Sequence, residues 1–134
     1  MNKKIVILGA GESGAGSAVL AQKHGFDVFV SDKGQIKDNY REILENYRIK
    51  WEEGDHNESI ILSADEVIKS PGIPENAPII NKIREKGIPV ISEIEFAGRY
   101  AQGIKICITG SNGKTTVTNL IYHILKKAGK NAAM

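Results

Sequence analysis

Four apolar residues, Ile5-Val6-Ile7-Leu8, run without interruption into Gly9-Ala10-Gly11-Glu12-Ser13-Gly14. A continuous apolar run rich in β-branched residues and ended by glycine is the pattern of a strand buried on both faces of a parallel sheet. After the glycines, Ala15, Ala18 and Val19 recur at helical spacing until His24-Gly25, and Val28-Phe29-Val30 then gives a second strand ending at Ser31-Asp32. Strand, helix and strand form a βαβ unit. The chain is thereby committed to an α/β architecture, in which ligands bind beyond the carboxyl ends of the strands.

The alternation continues. Tyr40, Ile43, Leu44 and Tyr47 share a helical face, Ile49-Lys50-Trp51 is extended, and Val67-Ile68 reads as a strand. Ile79, Ile80 and Ile83 line the next helix, Ile88-Pro89-Val90-Ile91 reads as a strand, and a short helix is expected from Glu93 to Tyr100. Residues 1–101 are therefore expected to form a Rossmann-like open parallel sheet with helices on both faces. Around Ala101-Gln102-Gly103 the pattern starts afresh: residues 104–109 read as a strand entering a second glycine loop. The helix after it carries Val117, Leu120, Ile121, Ile124, Leu125 and Ala128 on one broad face and ends at Gly129, and Lys130 to Met134 reads as the beginning of another strand. Residues 102–134 are thus expected to be the truncated start of a second α/β domain.

Composition narrows the function classes. The 134 residues are 41% hydrophobic and carry 18 Lys and Arg against 16 Asp and Glu, a formal charge of +2 that is too small and too evenly spread to bind nucleic acid or anionic lipid by charge alone. The single cysteine, Cys107, can close no internal disulfide, which fits a reducing, cytoplasmic setting. The first apolar run stops after four residues, short of a signal-peptide core, and no run approaches the roughly 20 residues a bilayer requires.

Both loops carry chemistry. Gly9 to Gly14 fits G-x-G-x-x-G between a strand and its helix, where backbone N–H groups and the helix N-terminus favour a pyrophosphate, and Asp32 ends the second strand where an acidic residue accepts from a ribose. Alone, this loop suggests a nicotinamide-dependent oxidoreductase, or a non-catalytic nucleotide-sensing module, against the plainer reading of a glycine turn made for packing. Thr109-Gly110-Ser111-Asn112-Gly113-Lys114-Thr115-Thr116 is a stronger signal, containing the Gly-Lys-Thr end of a phosphate-binding loop. There Lys114 can neutralise terminal phosphates and the Thr115 hydroxyl can ligate magnesium. The spacing is short, with Ile108 where the general pattern has its first glycine. Two anion loops suggest two nucleotides. Between them, Lys69-Ser70-Pro71-Gly72-Ile73-Pro74 lies at the end of an expected strand.

Taken together, Gly9 to Gly14, Ser70-Pro71-Gly72-Ile73, Gly87-Ile88-Pro89-Val90-Ile91-Ser92-Glu93-Ile94-Glu95 and Thr109 to Thr116 resemble the Mur ligase family of peptidoglycan synthesis, especially its D-glutamate-adding branch. The resemblance covers the whole chain, and the shortened phosphate loop is the form this family uses. It implies an N-terminal domain holding the UDP part of the substrate, a central ATP-binding domain and a C-terminal domain that helps bind the amino acid. By motif position, it places Glu12, Ser13 and Gly14 against uridine or its diphosphate, Asp32 and Lys33 near uracil and ribose, and Ser70, Pro71 and Gly72 near the diphosphate. Gly110, Ser111, Asn112, Gly113, Lys114, Thr115 and Thr116 would hold ATP, with Lys114 and Thr115 serving phosphoryl transfer and Thr115 the Mg2+. In the complete enzyme, the carboxylate of UDP-N-acetylmuramoyl-L-alanine is phosphorylated by ATP and attacked by the amine of D-glutamate; this chain is expected to be inactive alone.

Other residues read plainly. His24, His56 and His123 lack a second ligand at metal spacing and are expected at surfaces or caps. Cys107 is expected to be buried on its strand, and Glu93 and Glu95 to face apart. The strand at 104–109, lacking sheet partners, is expected to pair with another copy or with its own domain.

Overall fold

The computed structural model describes residues 2–134 and divides them into two compact units, one ending at Ala101 and the other spanning Gln102–Met134. In the first unit β1 (Lys4–Leu8), α1 (Glu12–Lys23), β2 (Asp27–Asp32), α2 (Asp38–Asn46), β3 (Lys50–Glu53), α3 (Glu58–Ile61), β4 (Glu66–Lys69), α4 (Pro78–Glu85), β5 (Val90–Ser92) and α5 (Glu93–Tyr100) follow in order. Every strand pair is parallel and the sheet order is β3-β2-β1-β4-β5. The chain moves outward from β1 through β2 to β3, then crosses back to place β4 on the other side of β1. That reversal opens a crevice between the ends of β1 and β4.

The apolar run of β1 is explained by its position. Ile5 and Ile7 join one core with Ala18, Ala21, Val30, Leu44 and Phe96, while Val6 and Leu8 join the other with Ile61, Val67, Ile80 and Ile83. Alternate side chains point to opposite faces, so a central strand covered on both sides has no polar position to spare. The Rossmann-like α/β sheet expected from the sequence is observed.

Three details differ. Ile88 is not in a strand; its N–H donates to Ile83 O at the end of α4, where Gly87 turns with φ +73°, and Pro89 has no N–H to give a ladder, so β5 starts at Val90. The α3 turn was not anticipated, although Asn57 signals it: its side chain caps the helix by accepting from Ile60 N. Residues 104–113 and 130–134 form no strand. A strand needs a hydrogen-bonding neighbour, and the described residues of the second unit contain only α6 (Lys114–Lys127) as regular structure. Cys107 is accordingly exposed rather than buried, as are Ile104 and Ile106. Among the described residues no helix is long and apolar enough to cross a membrane.

Candidate functional site

The glycine turn after β1 is shaped by three constraints. Gly9 adopts φ +97°, and a Cβ there would lie 2.8 Å from Ser70 Cβ, so the β1 and β4 loops meet at this point. Gly14 is packed against the turn: an added Cβ would sit 1.9 Å from Gly9 O. Asp32, at the end of β2, accepts from Ala10 N (2.6 Å) through one carboxylate oxygen and from Gly34 N (2.8 Å) through the other. Gly9 N in turn donates to Ser31 O at 2.9 Å.

A hollow of about 710 Å³ lies over these strand ends, lined by Gly9, Gly11, Asp32, Lys33, Ser70 and Gly72 together with Asp55, His56, Glu58, Ile73, Pro74 and the segment from Asn76 to Ile79. Its volume is that of a small-molecule site. The structure thus brings together Asp32, Lys33, Ser70 and Gly72 from the sequence-expected set. The others lie apart from its lining. Glu12 is exposed at the start of α1 beside Tyr40 and Tyr47 of the α2 region, and the Ser13 hydroxyl donates to Glu93 Oε1 at 3.0 Å, tying α1 to α5. Gly14 is buried, and Pro71 borders a separate hollow with Glu75 and Ser92. Glu12, Ser13 and Gly14 occupy the first turn of α1, whose N–H groups have no intrahelical acceptor, so their backbone remains suited to an anion.

The β4 loop is held by Lys69. Its ammonium, largely buried, donates to Ile73 O (2.8 Å) and Ser70 O (3.3 Å) and pairs with Glu75 at 2.9 Å. Lys69, and then Arg84, hold the Glu75 carboxyl below the usual carboxylate range. The β2 loop is held by Glu53, which accepts from Ile36 N and from the Arg41 guanidinium at 2.7 Å. Those bonds, the Ile36 amide first, lower the Glu53 carboxyl, and Glu53 raises Arg41.

Sequence reasoning missed Asp55, His56, Glu58 and Asn76 as lining residues. His24 does cap α1, stacking on Tyr100, but His56 lies in the hollow. The available signal was weak: Asp55-His56-Asn57 follows β3 at the same end of the sheet as the glycine turn. Glu93 is buried against Ser13, whereas Glu95 is exposed and lies 3.9 Å from Arg99, so the two do face apart.

In the second unit Gly110 and Gly113 have φ of +146° and +78°, and Gly113 caps α6. Lys114 Nζ donates to Gly110 O at 2.6 Å, so the ammonium folds over the loop it would share with a phosphate chain. Thr115 and Thr116 lie in the exposed first turn. Positive-φ glycines, a helix N-terminus, a lysine over the loop and an accessible threonine hydroxyl together fit ATP with magnesium.

The sequence of residues 3–92 matches the Mur ligase MurD-like N-terminal domain, and residues 108–134 match the Mur ligase middle domain. The chain belongs to the MurD-like Mur ligases. The UDP-N-acetylmuramoylalanine–D-glutamate ligase of Bacteroides fragilis is 65% identical over 132 residues, covering 98% of this chain and 30% of the relative. That of Christiangramia forsetii is 61% identical over 134 residues, again 30% of its length. Among solved structures, a murein peptide ligase from Psychrobacter arcticus superposes with a TM-score of 0.69 at 26% identity, covering 96% of this chain and 27% of that one. This Mur ligase chain therefore spans about 30% of the length of the curated relatives it matches.

Proposed function

We propose that residues 1–101 are the UDP-substrate-binding domain, and residues 102–134 the start of the ATP-binding domain, of a cytoplasmic ligase that joins D-glutamate to UDP-N-acetylmuramoyl-L-alanine. The observation that carries this reading is the meeting of the Gly9 and Ser70 loops at the sheet's reversal point, under one hollow that also holds Asp32 and Lys33. The α1 N-terminal turn at Glu12, Ser13 and Gly14, with the Ser70-Pro71-Gly72 turn, supplies donors for a diphosphate; Asp32 and Lys33 serve the uracil and ribose. Gly110 to Thr116 would hold ATP, with Lys114 offsetting phosphate charge and Thr115 offering its hydroxyl to Mg2+. ATP supplies the phosphoryl group that activates a carboxylate toward an amine.

Calorimetric titration of the chain with UDP-N-acetylmuramoyl-L-alanine, UDP, NADH and Mg-ATP tests the reading, with Lys33→Ala and Ser70→Ala as variants. Binding of the UDP compounds but not NADH, weakened by both substitutions, is expected. NADH binding without UDP binding would replace the ligase reading with that of a dinucleotide site.

A further inference from the structure

Ser31 and Glu52 are partners across the β2-β3 ladder, at the end of the sheet that carries the hollow. Ser31 is fully buried, and its Oγ lies 2.7 Å from Glu52 Oε1 and 2.7 Å from His56 Nδ1. Glu52 Oε1 also accepts from Asn57 N at 2.7 Å, which fastens the loop that follows β3.

The chemistry of these contacts fixes the proton positions. An ionised carboxylate only accepts, so the single Ser31 hydroxyl proton goes to Glu52. The Ser31 oxygen must then accept from His56, which makes His56 the Nδ1–H tautomer in its neutral form. Nε2 is left as an acceptor. It makes no hydrogen bond among the described residues and is not one of their buried, unpartnered side-chain atoms, so it is not sealed from solvent, and His56 lines the hollow.

Two plainer readings fail. The order of contacts is His–Ser–Glu, not the Ser–His–acid order of a nucleophilic triad, and a fully buried Ser31 cannot reach a substrate. Nor does the fold need the imidazole to satisfy this corner, because Glu52 already takes both the Ser31 hydroxyl and the Asn57 N–H.

Resting on the proposed UDP-binding reading, we infer that His56 is a specificity-determining residue of the hollow, accepting at Nε2 a hydrogen bond from a donor on the nucleoside. Uracil N3–H and the ribose hydroxyls are the donors a uridine diphosphate offers. A diphosphate at neutral pH bears oxygen acceptors, which a bare Nε2 repels, whereas the first turn of α1 presents N–H donors. Acceptor at one end and donors at the other set the direction in which the ligand lies.

Two measurements on the chain test this. Nitrogen NMR of the His56 imidazole near pH 8 is expected to show a protonated Nδ1 and a bare Nε2; the opposite tautomer overturns the inference whatever binds. Calorimetry then compares UDP, N3-methyl-UDP, 2′-deoxy-UDP and 3′-deoxy-UDP on the parent chain and on His56→Phe, which keeps a flat ring without the acceptor. His56→Phe is expected to weaken UDP by roughly three- to tenfold, the worth of one net hydrogen bond. One analogue's penalty should disappear in the variant, and that analogue identifies the donor. Unchanged penalties for every analogue overturn the inference while leaving the UDP reading intact; a parent chain that binds no UDP overturns both. If thermal melting shows His56→Phe unfolded, His56→Gln replaces it, with the same expected loss and the same refuting outcome.

Discussion

Two glycines in α1, two residues apart, should respond in opposite directions to the same added methyl group. At Gly14 an ideal Cβ falls 1.9 Å from Gly9 O and 2.9 Å from Gly9 C, both backbone atoms at the turn beneath the helix. The first distance is about 1 Å inside the closest approach that real side chains make, and neither partner can rotate away. Relief requires α1 to lift from β1, opening the packing of Ala18 and Ala21 with Ile5 and Ile7. Overpacking of this kind costs about 1–3 kcal/mol and sometimes more, while the helix-propensity gain of alanine over glycine is about 1 kcal/mol. The overlap with main chain puts Gly14→Ala at the upper end, a net loss of about 2 kcal/mol. For a unit near 100 residues that lowers the melting temperature by about 8–16 °C. Gly16 is exposed with nothing within 4 Å of its Cβ position, so Gly16→Ala should gain about 0.4–1 kcal/mol and melt about 2–8 °C higher. Thermal circular dichroism of both variants decides. A Gly14→Ala chain melting within about 2 °C of the parent would refute the steric argument.

The lowered Glu53 carboxyl gives a pH dependence. A group whose folded value is depressed adds stability above its unfolded value, about 4.3, that is lost as pH falls through the folded value. The parent melting temperature should therefore fall more steeply below about pH 4.3 than that of Glu53→Gln; parallel curves would contradict this. Incubated with ATP, Mg2+, D-glutamate and UDP-N-acetylmuramoyl-L-alanine, the chain should form no amide, and product in mass spectrometry would reverse that expectation. Exposed Ile104 and Ile106 should drive concentration-dependent association that Ile106→Asp reduces. Sedimentation showing a monomer at every concentration would exclude it.

The sheet was legible because burial on both faces leaves a strong trace: Ile5 to Leu8 and Val67-Ile68 have no polar alternate, and glycines punctuate the strand ends. The strand at 104–109 was misread for the converse reason. Its apolar pattern reports what the segment is suited to pair with, whereas a strand exists only where the pairing is made. Around the hollow, Gly9 and Asp32 were visible through motif spacing, and Ser70 through its place after an expected strand together with the family resemblance. His56 was not, since its position depends on Ser31 and Glu52, residues 25 and 4 positions away in sequence, meeting across a ladder. Asn57 was the local clue to α3, yet a single capping residue before a four-residue helix is a small signal.

Asp32 ties the turn after β1 to the turn after β2, with one oxygen on Ala10 N and the other on Gly34 N. A hydroxyl that bound there, as the proposed reading requires, would meet an acceptor whose orientation is already set, so little ordering entropy would remain to be lost on association. On the proposed reading, in which Asp32 serves the ribose, the same bonds make recognition and folding one inherited trait at this position. Asparagine could keep only one of the two N–H contacts as an acceptor, and alanine neither, so any variant selected for a new nucleotide preference here must also rebuild the turn.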